Sequence, residues 1–145
     1  MRTFNLPLAV YGTFSINMDN GSVNLANENP DGFGPGRVGF SLRSGNTVRF
    51  ELSYVGTDLN YSINDDLGQR SSGIPVTDGG LFLAFTVTGA GDSYSATITR
   101  NGDAPVTFTG TLEQGGSIDN VRLYNRYAGS AASRILYFNR LQIKQ

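Results

Sequence analysis

Few residues in this 145-residue sequence are equipped for acid–base work. Histidine and cysteine are both absent, which removes the commonest general base, the commonest zinc ligands, thiolate nucleophiles and the Ser-His-Asp relay. Hydrolysis of a glycosidic bond needs two carboxyl groups set across it. The glutamates are Glu28, Glu51 and Glu113, and none has another acid two or five residues further on. Eliminative cleavage by a His/Tyr pair fails for the same missing histidine. The expectation from these residues is a chain that is not an enzyme.

Two binding constellations remain. Calcium takes about six to eight oxygen ligands, and Asn64-Asp65-Asp66 is a compact oxygen-rich stretch to which Asp19, Asp31 and Asp119 could converge. Asp65, Asp66 and Asp119 are the candidate ligands, although the same residues suit a plain Asx turn. Sugar recognition asks for aromatic faces beside planar polar side chains, and Tyr54, Tyr124 and Tyr127 with Asn60, Asn125, Arg122 and Arg126 supply those types. If Val121 and Leu123 enter a core, Arg122, Tyr124 and Arg126 lie together on the opposite side of their strand. The same residues also fit a contact between protein surfaces, where Tyr and Arg are enriched, or a solvated strand face.

The elements that must position these groups are strands. Period-two alternation recurs along the chain: Val10, Phe14, Ile16 and Met18; Val38, Phe40 and Leu42; Val48, Phe50, Leu52 and Tyr54; Leu59, Tyr61 and Ile63; Leu81, Leu83, Phe85 and Val87; Tyr94, Ala96 and Ile98. Arg49, Glu51 and Ser53 fall on the polar side of theirs. Asn20-Gly21, Ser44-Gly45-Asn46 and Asn101-Gly102-Asp103 mark turns. Residues 27–36 and 69–80 are expected to be long loops, and the last strands are expected over 118–125 and 135–143. Leu81–Thr88 is the most apolar run, suited to a central strand. Nine or ten strands with close turn signals, 19 glycines and no helix-forming runs predict an all-β sandwich or barrel. The length suits one domain over 1–145.

The stretches Arg37-Val38-Gly39-Phe40-Ser41-Leu42, Tyr61-Ser62-Ile63-Asn64-Asp65, Ser93-Tyr94-Ser95-Ala96-Thr97-Ile98 and Ile118-Asp119-Asn120-Val121-Arg122-Leu123-Tyr124 resemble the concanavalin A-like, laminin-G-like jelly-roll domains of secreted bacterial proteins. The resemblance extends from about Arg37 to the end. It implies a jelly-roll sandwich of a convex and a concave sheet, ligands on the concave sheet or its rim loops, and often a structural calcium ion. A shared fold leaves function open.

Net charge is −1, but Arg122, Arg126, Arg134, Arg140 and Lys144 follow Ser117 against the single acid Asp119. Nothing favours nucleic acid, and no run reaches the roughly 18–20 apolar residues of a membrane span. The first residues alternate like a strand rather than a secretory signal; the resemblance to secreted domains implies an extracellular or cell-surface location, with any export signal already removed. The leading expectation is a non-catalytic extracellular module that binds polysaccharide or another glycan. A structural or adhesive subunit, self-associating or packed on a neighbouring domain, comes next, and a glycan-cleaving enzyme comes third.

Overall fold

A computed structural model describes residues 1–21, 23, 34–77, 79–89, 92–129 and 134–145. Glu28, Asp31, most of the loop expected over 27–36, part of the turn at 89–92 and the small-residue loop before 134 lie outside the described residues. The described chain forms eleven strands: β1 (Arg2–Thr3), β2 (Thr13–Asn20), β3 (Arg37–Ser44), β4 (Thr47–Val55), β5 (Asn60–Asp65), β6 (Gly68–Pro75), β7 (Leu81–Val87), β8 (Ser93–Arg100), β9 (Val106–Thr111), β10 (Asn120–Arg126) and β11 (Leu136–Lys144). They pair antiparallel into a six-stranded sheet, β1-β10-β3-β4-β5-β6, and a five-stranded sheet, β11-β2-β7-β8-β9. The all-β, two-sheet antiparallel sandwich is what forms, rather than the barrel that alternation alone left open, and β7 occupies the middle of its sheet. No helix among the described residues is long and apolar enough to cross a membrane.

Alternation explains the packing. One side of each central strand is apolar and turns inward, so Phe14, Ile16, Leu83, Phe85 and Ile98 meet Phe40, Leu42, Phe50, Leu52 and Val121 in one core. Phe50 spans the two sheets, with its ring 5.0 Å from that of Phe85 and 5.2 Å from that of Tyr94. The β3–β4 hairpin closes through Gly45 and Asn46, and Gly45 takes φ 54°, a left-handed conformation that costs glycine little.

Four local expectations are corrected. Val10 lies before β2 and is exposed, so it does not share the inner face of Phe14. Leu59 is 86% exposed, because β5 begins one residue later. The expected loop over 69–80 contains β6, an edge strand whose Gly/Ser-rich sequence carries little apolar alternation. Arg49 does not face outward with Glu51 and Ser53. A bulge between β3 and β4 turns it into the interior, where it bonds the Glu113 carbonyl and pairs with Asp92 at 2.8 Å.

A second ion pair, built on a buried carboxylate, is tied to the opposite sheet through a tyrosine. Asp65, fully buried at the end of β5, accepts a two-pronged contact from Arg70 of β6 and a 2.5 Å hydrogen bond from the Tyr94 hydroxyl of β8. Burial alone would raise the Asp65 carboxyl. The hydrogen bonds from Arg70, Tyr94 and the Leu67 N–H outweigh it and leave the pKa below its ordinary value. Burial, then the neighbouring Asp65 carboxylate, raises the Tyr94 phenol.

Candidate functional site

The chemistry-bearing residues collect on the outer face of the six-stranded sheet, and the strand register explains why. Residues opposite one another in an antiparallel ladder point to the same side. Arg122 pairs with Ser41 and Ser41 with Glu51, and Glu51 in turn pairs with Asn64 and Asn64 with Gln69. One step along lies the row Tyr124, Gly39, Ser53, Ser62, Ser71; a further step begins with Arg126 and Arg37. Val121, whose parity is opposite, is buried in the core, so all three rows face outward. At the usual strand spacing, β10 to β6 spans roughly 19 Å.

Tyr124 is the centre of this face. Its ring lies across β3, where Gly39 provides no side chain. A Cβ on Gly39 would collide with the Leu52 carbonyl and stand 2.8 Å from the Ser53 Cα and 3.0 Å from the Tyr124 hydroxyl. The Arg126 guanidinium sits 5.4 Å from the Tyr124 ring centroid, within cation–π range. Arg37 pairs with Glu51 and donates to Ser53 Oγ at 3.2 Å. The Tyr124 hydroxyl points towards Glu51 and Ser53 but closes a well-shaped hydrogen bond with neither, and it is shielded from solvent. Burial first, and the Glu51 carboxylate second, hold its pKa well above the usual phenol range, so it is neutral at physiological pH. Arg122 and Arg126 are exposed and have no carboxylate partner among the described residues. Beyond Ser53 the face opens into a groove of about 380 Å3 bordered by Asn60, Ser62, Gln69 and Ser71.

Of the sugar-binding candidates, the structure brings Arg122, Tyr124 and Arg126 together, with Asn60 at the far groove. Tyr54 is on the other side of the sheet, packed on the core with its ring 6.3 Å from that of Tyr61. Asn125 pairs with Val38 and shares that inward parity, although it is exposed near the end of its strand. Tyr127 follows β10 with φ 52° and is half exposed. Sequence reasoning missed Gly39 and Arg37, and it set Glu51 aside as a lone acid. Only the register, which places Ser41 between Arg122 and Glu51, joins them.

The calcium candidates do not form one site. Both Asp65 oxygens are engaged by Arg70 and Tyr94. Asp119 Oδ1 accepts from the Gly45 N–H at 3.0 Å and from Asn120 Nδ2 at 2.6 Å, on the far side of β3 and β4 from Asp65. Asp66 lies in the exposed β5–β6 turn. No group of three His, Cys, Asp or Glu residues able to hold a metal occurs among the described residues.

Replacing Gly39 by alanine should lower stability by about 1–3 kcal/mol, the usual cost of overfilling a packed site, and should displace the Tyr124 ring. Melting temperatures of Gly39→Ala and of the exposed control Arg122→Ala check this; equal values would mean the face is looser than its contacts imply.

No family model matches the chain. No curated protein matches it. Among solved structures it is similar to the alginate lyase from Klebsiella pneumoniae, with a TM-score of 0.57 and 12% identity over 92% of this chain. The chain spans 59% of the length of that enzyme. At this identity the likeness is one of fold. It nevertheless corrects the expectation that the chain is not an enzyme, because an enzyme is built on the same sandwich. The sequence lacks histidine and closely spaced carboxyl pairs. The strand register assembles a different set, in which a neutral phenol, a carboxylate and guanidinium groups share one sheet face.

Proposed function

We propose that the outer face of the six-stranded sheet binds an acidic polysaccharide, in a concanavalin A-like jelly roll. The observation that carries the proposal is the row on β10, with exposed Arg122 and Arg126 flanking Tyr124 and lacking carboxylate partners among the described residues. Four residues along a strand set the Cα atoms of the two arginines roughly 13 Å apart, so their side chains can reach separate carboxylates on one extended chain. Guanidinium forks pair with carboxylates in two-pronged fashion. The amide groups of Asn60 and Gln69, and the Asp58 carboxylate that holds the buried Ser62 hydroxyl at 3.3 Å, supply partners for sugar hydroxyls in the adjoining groove. The alginate lyase to which the fold is similar acts on a polymer of this charge class, which supports the same reading.

Affinity electrophoresis through gels containing alginate or polygalacturonate tests the proposal. Retardation is expected and should weaken steeply with added salt, since exposed charge pairs are screened. Migration unchanged in both gels would sink it.

The likeness to a lyase favours a second reading, in which the bound chain is also cleaved by elimination. There Arg37 or Arg126 would neutralise the uronate carboxylate, and the Glu51 carboxylate would take the proton beside it. The neutral Tyr124 phenol, shielded in this structure, would have to swing outward to return a proton to the departing oxygen. Prolonged incubation with alginate should then release products with unsaturated ends, and a polymer of unchanged length would leave binding alone as the function.

A further inference from the structure

The outer face of the five-stranded sheet has different chemistry. Strand alternation turns Ser and Thr outward there, and the hydroxyls of Thr97 and Thr107 on neighbouring strands are 2.8 Å apart. One row departs from this pattern. Asn139 pairs with Asn17, Asn17 with Phe82 and Phe82 with Thr99, which lines up two amides, an aromatic ring and a hydroxyl across β11, β2, β7 and β8. Phe82 is 39% exposed on the central strand, while Leu81 and Leu83 beside it are buried.

A groove of about 370 Å3 opens over this row, with Asp19 among the residues that border it. That volume falls within the size range of small-ligand sites. Asn17 Oδ1 is shielded from solvent and has no hydrogen-bond partner, an uncommon state for a buried polar atom. Rotation about its broad terminal torsion would turn it into the groove. Asp103 is taken up by Arg100 at 2.5 Å, so among the described residues Asp19 is the uncompensated charge at the site.

We propose that this row is a second glycan site, selective for neutral sugars. The Phe82 ring offers an apolar face for the C–H side of a pyranose. Asn17 and Asn139 each present a donor and an acceptor for adjacent hydroxyls, and Asp19 accepts from two more. The Asp19 charge repels uronates, so the two outer faces of the sandwich select opposite classes of polymer. The site uses no residue of the face on β10 and stands whether or not that face binds acidic chains.

The test is affinity electrophoresis of the full chain in gels containing β-1,3-glucan, β-1,4-glucan, galactomannan or starch. At least one gel should retard the protein. Phe82→Ala should weaken the apparent affinity by about tenfold, the scale of a lost aromatic stacking contact. Asn139→Ala, an exposed change on an edge strand that leaves the core untouched, should weaken it by about threefold, in line with a lost hydrogen bond. The double variant Arg122→Ala, Arg126→Ala should be retarded as strongly as the parent. Absence of retardation in all four gels would overturn the proposal. So would retardation that both Phe82→Ala and Asn139→Ala leave unchanged.

Discussion

Replacing Asp65 by alanine is expected to lower the stability of the sandwich by about 3 kcal/mol, the lower end of the cost of breaking a buried ion pair. The lower end applies because the Arg70 side chain, 32% exposed, can turn to water once its partner is gone, whereas Asp65 itself is fully buried. The same change orphans the Tyr94 hydroxyl, which donates to Asp65 from the opposite sheet. For a chain of this length the loss corresponds to a fall of about 10 °C in melting temperature. Tyr94→Phe removes a single hydrogen bond and should cost about 1 kcal/mol.

The Asp65 interaction also sets a pH dependence. Its folded-state pKa lies below its ordinary value, so the folded form holds its charge more readily than the unfolded chain does. The stabilisation is therefore complete above the ordinary carboxylate range. It is lost as pH falls through the lower folded value. Melting curves of the parent and Asp65→Ala should differ widely at neutral pH and converge in acid. A gap that stays constant down to strongly acidic pH would mean that the carboxylate charge does not carry the effect.

The second large effect is on binding. Converting both Arg122 and Arg126 to alanine should weaken affinity for an acidic polysaccharide by about a hundredfold at low salt. That figure assigns roughly a factor of ten to each charge-assisted contact. Both side chains are exposed and make no ion pair among the described residues, so the melting temperature should hardly move. Isothermal titration with a polyuronate oligosaccharide, paired with calorimetric melting, separates the two quantities. Arg122→Lys/Arg126→Lys keeps the charge but loses the planar fork, and should recover part of the affinity.

Much of the fold was legible in the sequence because apolar side chains alternate with polar or small ones along most strands. Phe14, Ile16 and Met18, or Phe40 and Leu42, could fill a core only from one side of a strand. β6 was missed because its sequence, GQRSSGIP, has one buried apolar residue, Ile74, to reveal it. Arg49 was placed outward because simple alternation does not foresee a bulge, and the bulge brings it inside to Asp92.

For the candidate site, alternation alone grouped Arg122, Tyr124 and Arg126, as their spacing of two residues requires. It would equally have set Tyr54 aside, since Tyr54 shares parity with the buried Phe50 and Leu52, and Asn125, which shares parity with Val121. Those two were chosen by residue type instead. Arg37, Gly39 and Glu51 enter through hydrogen-bond register between strands distant in sequence, which alternation within a strand does not encode. Gly39 gives no chemical signal of its own. It matters because the Tyr124 hydroxyl and the Leu52 carbonyl occupy the space its side chain would need.

The central claim is that an acidic glycan lies on the outer face of the six-stranded sheet across Tyr124. Chemical-shift mapping of the isotope-labelled protein during titration with a polyuronate oligosaccharide tests it most directly. The account predicts saturable shifts in the backbone amides of Gly39, Ser53, Ser62, Arg122 and Tyr124, with Thr97 and Thr107 on the opposite sheet unmoved. Shifts confined to the five-stranded sheet, or none at saturating oligosaccharide, would contradict it.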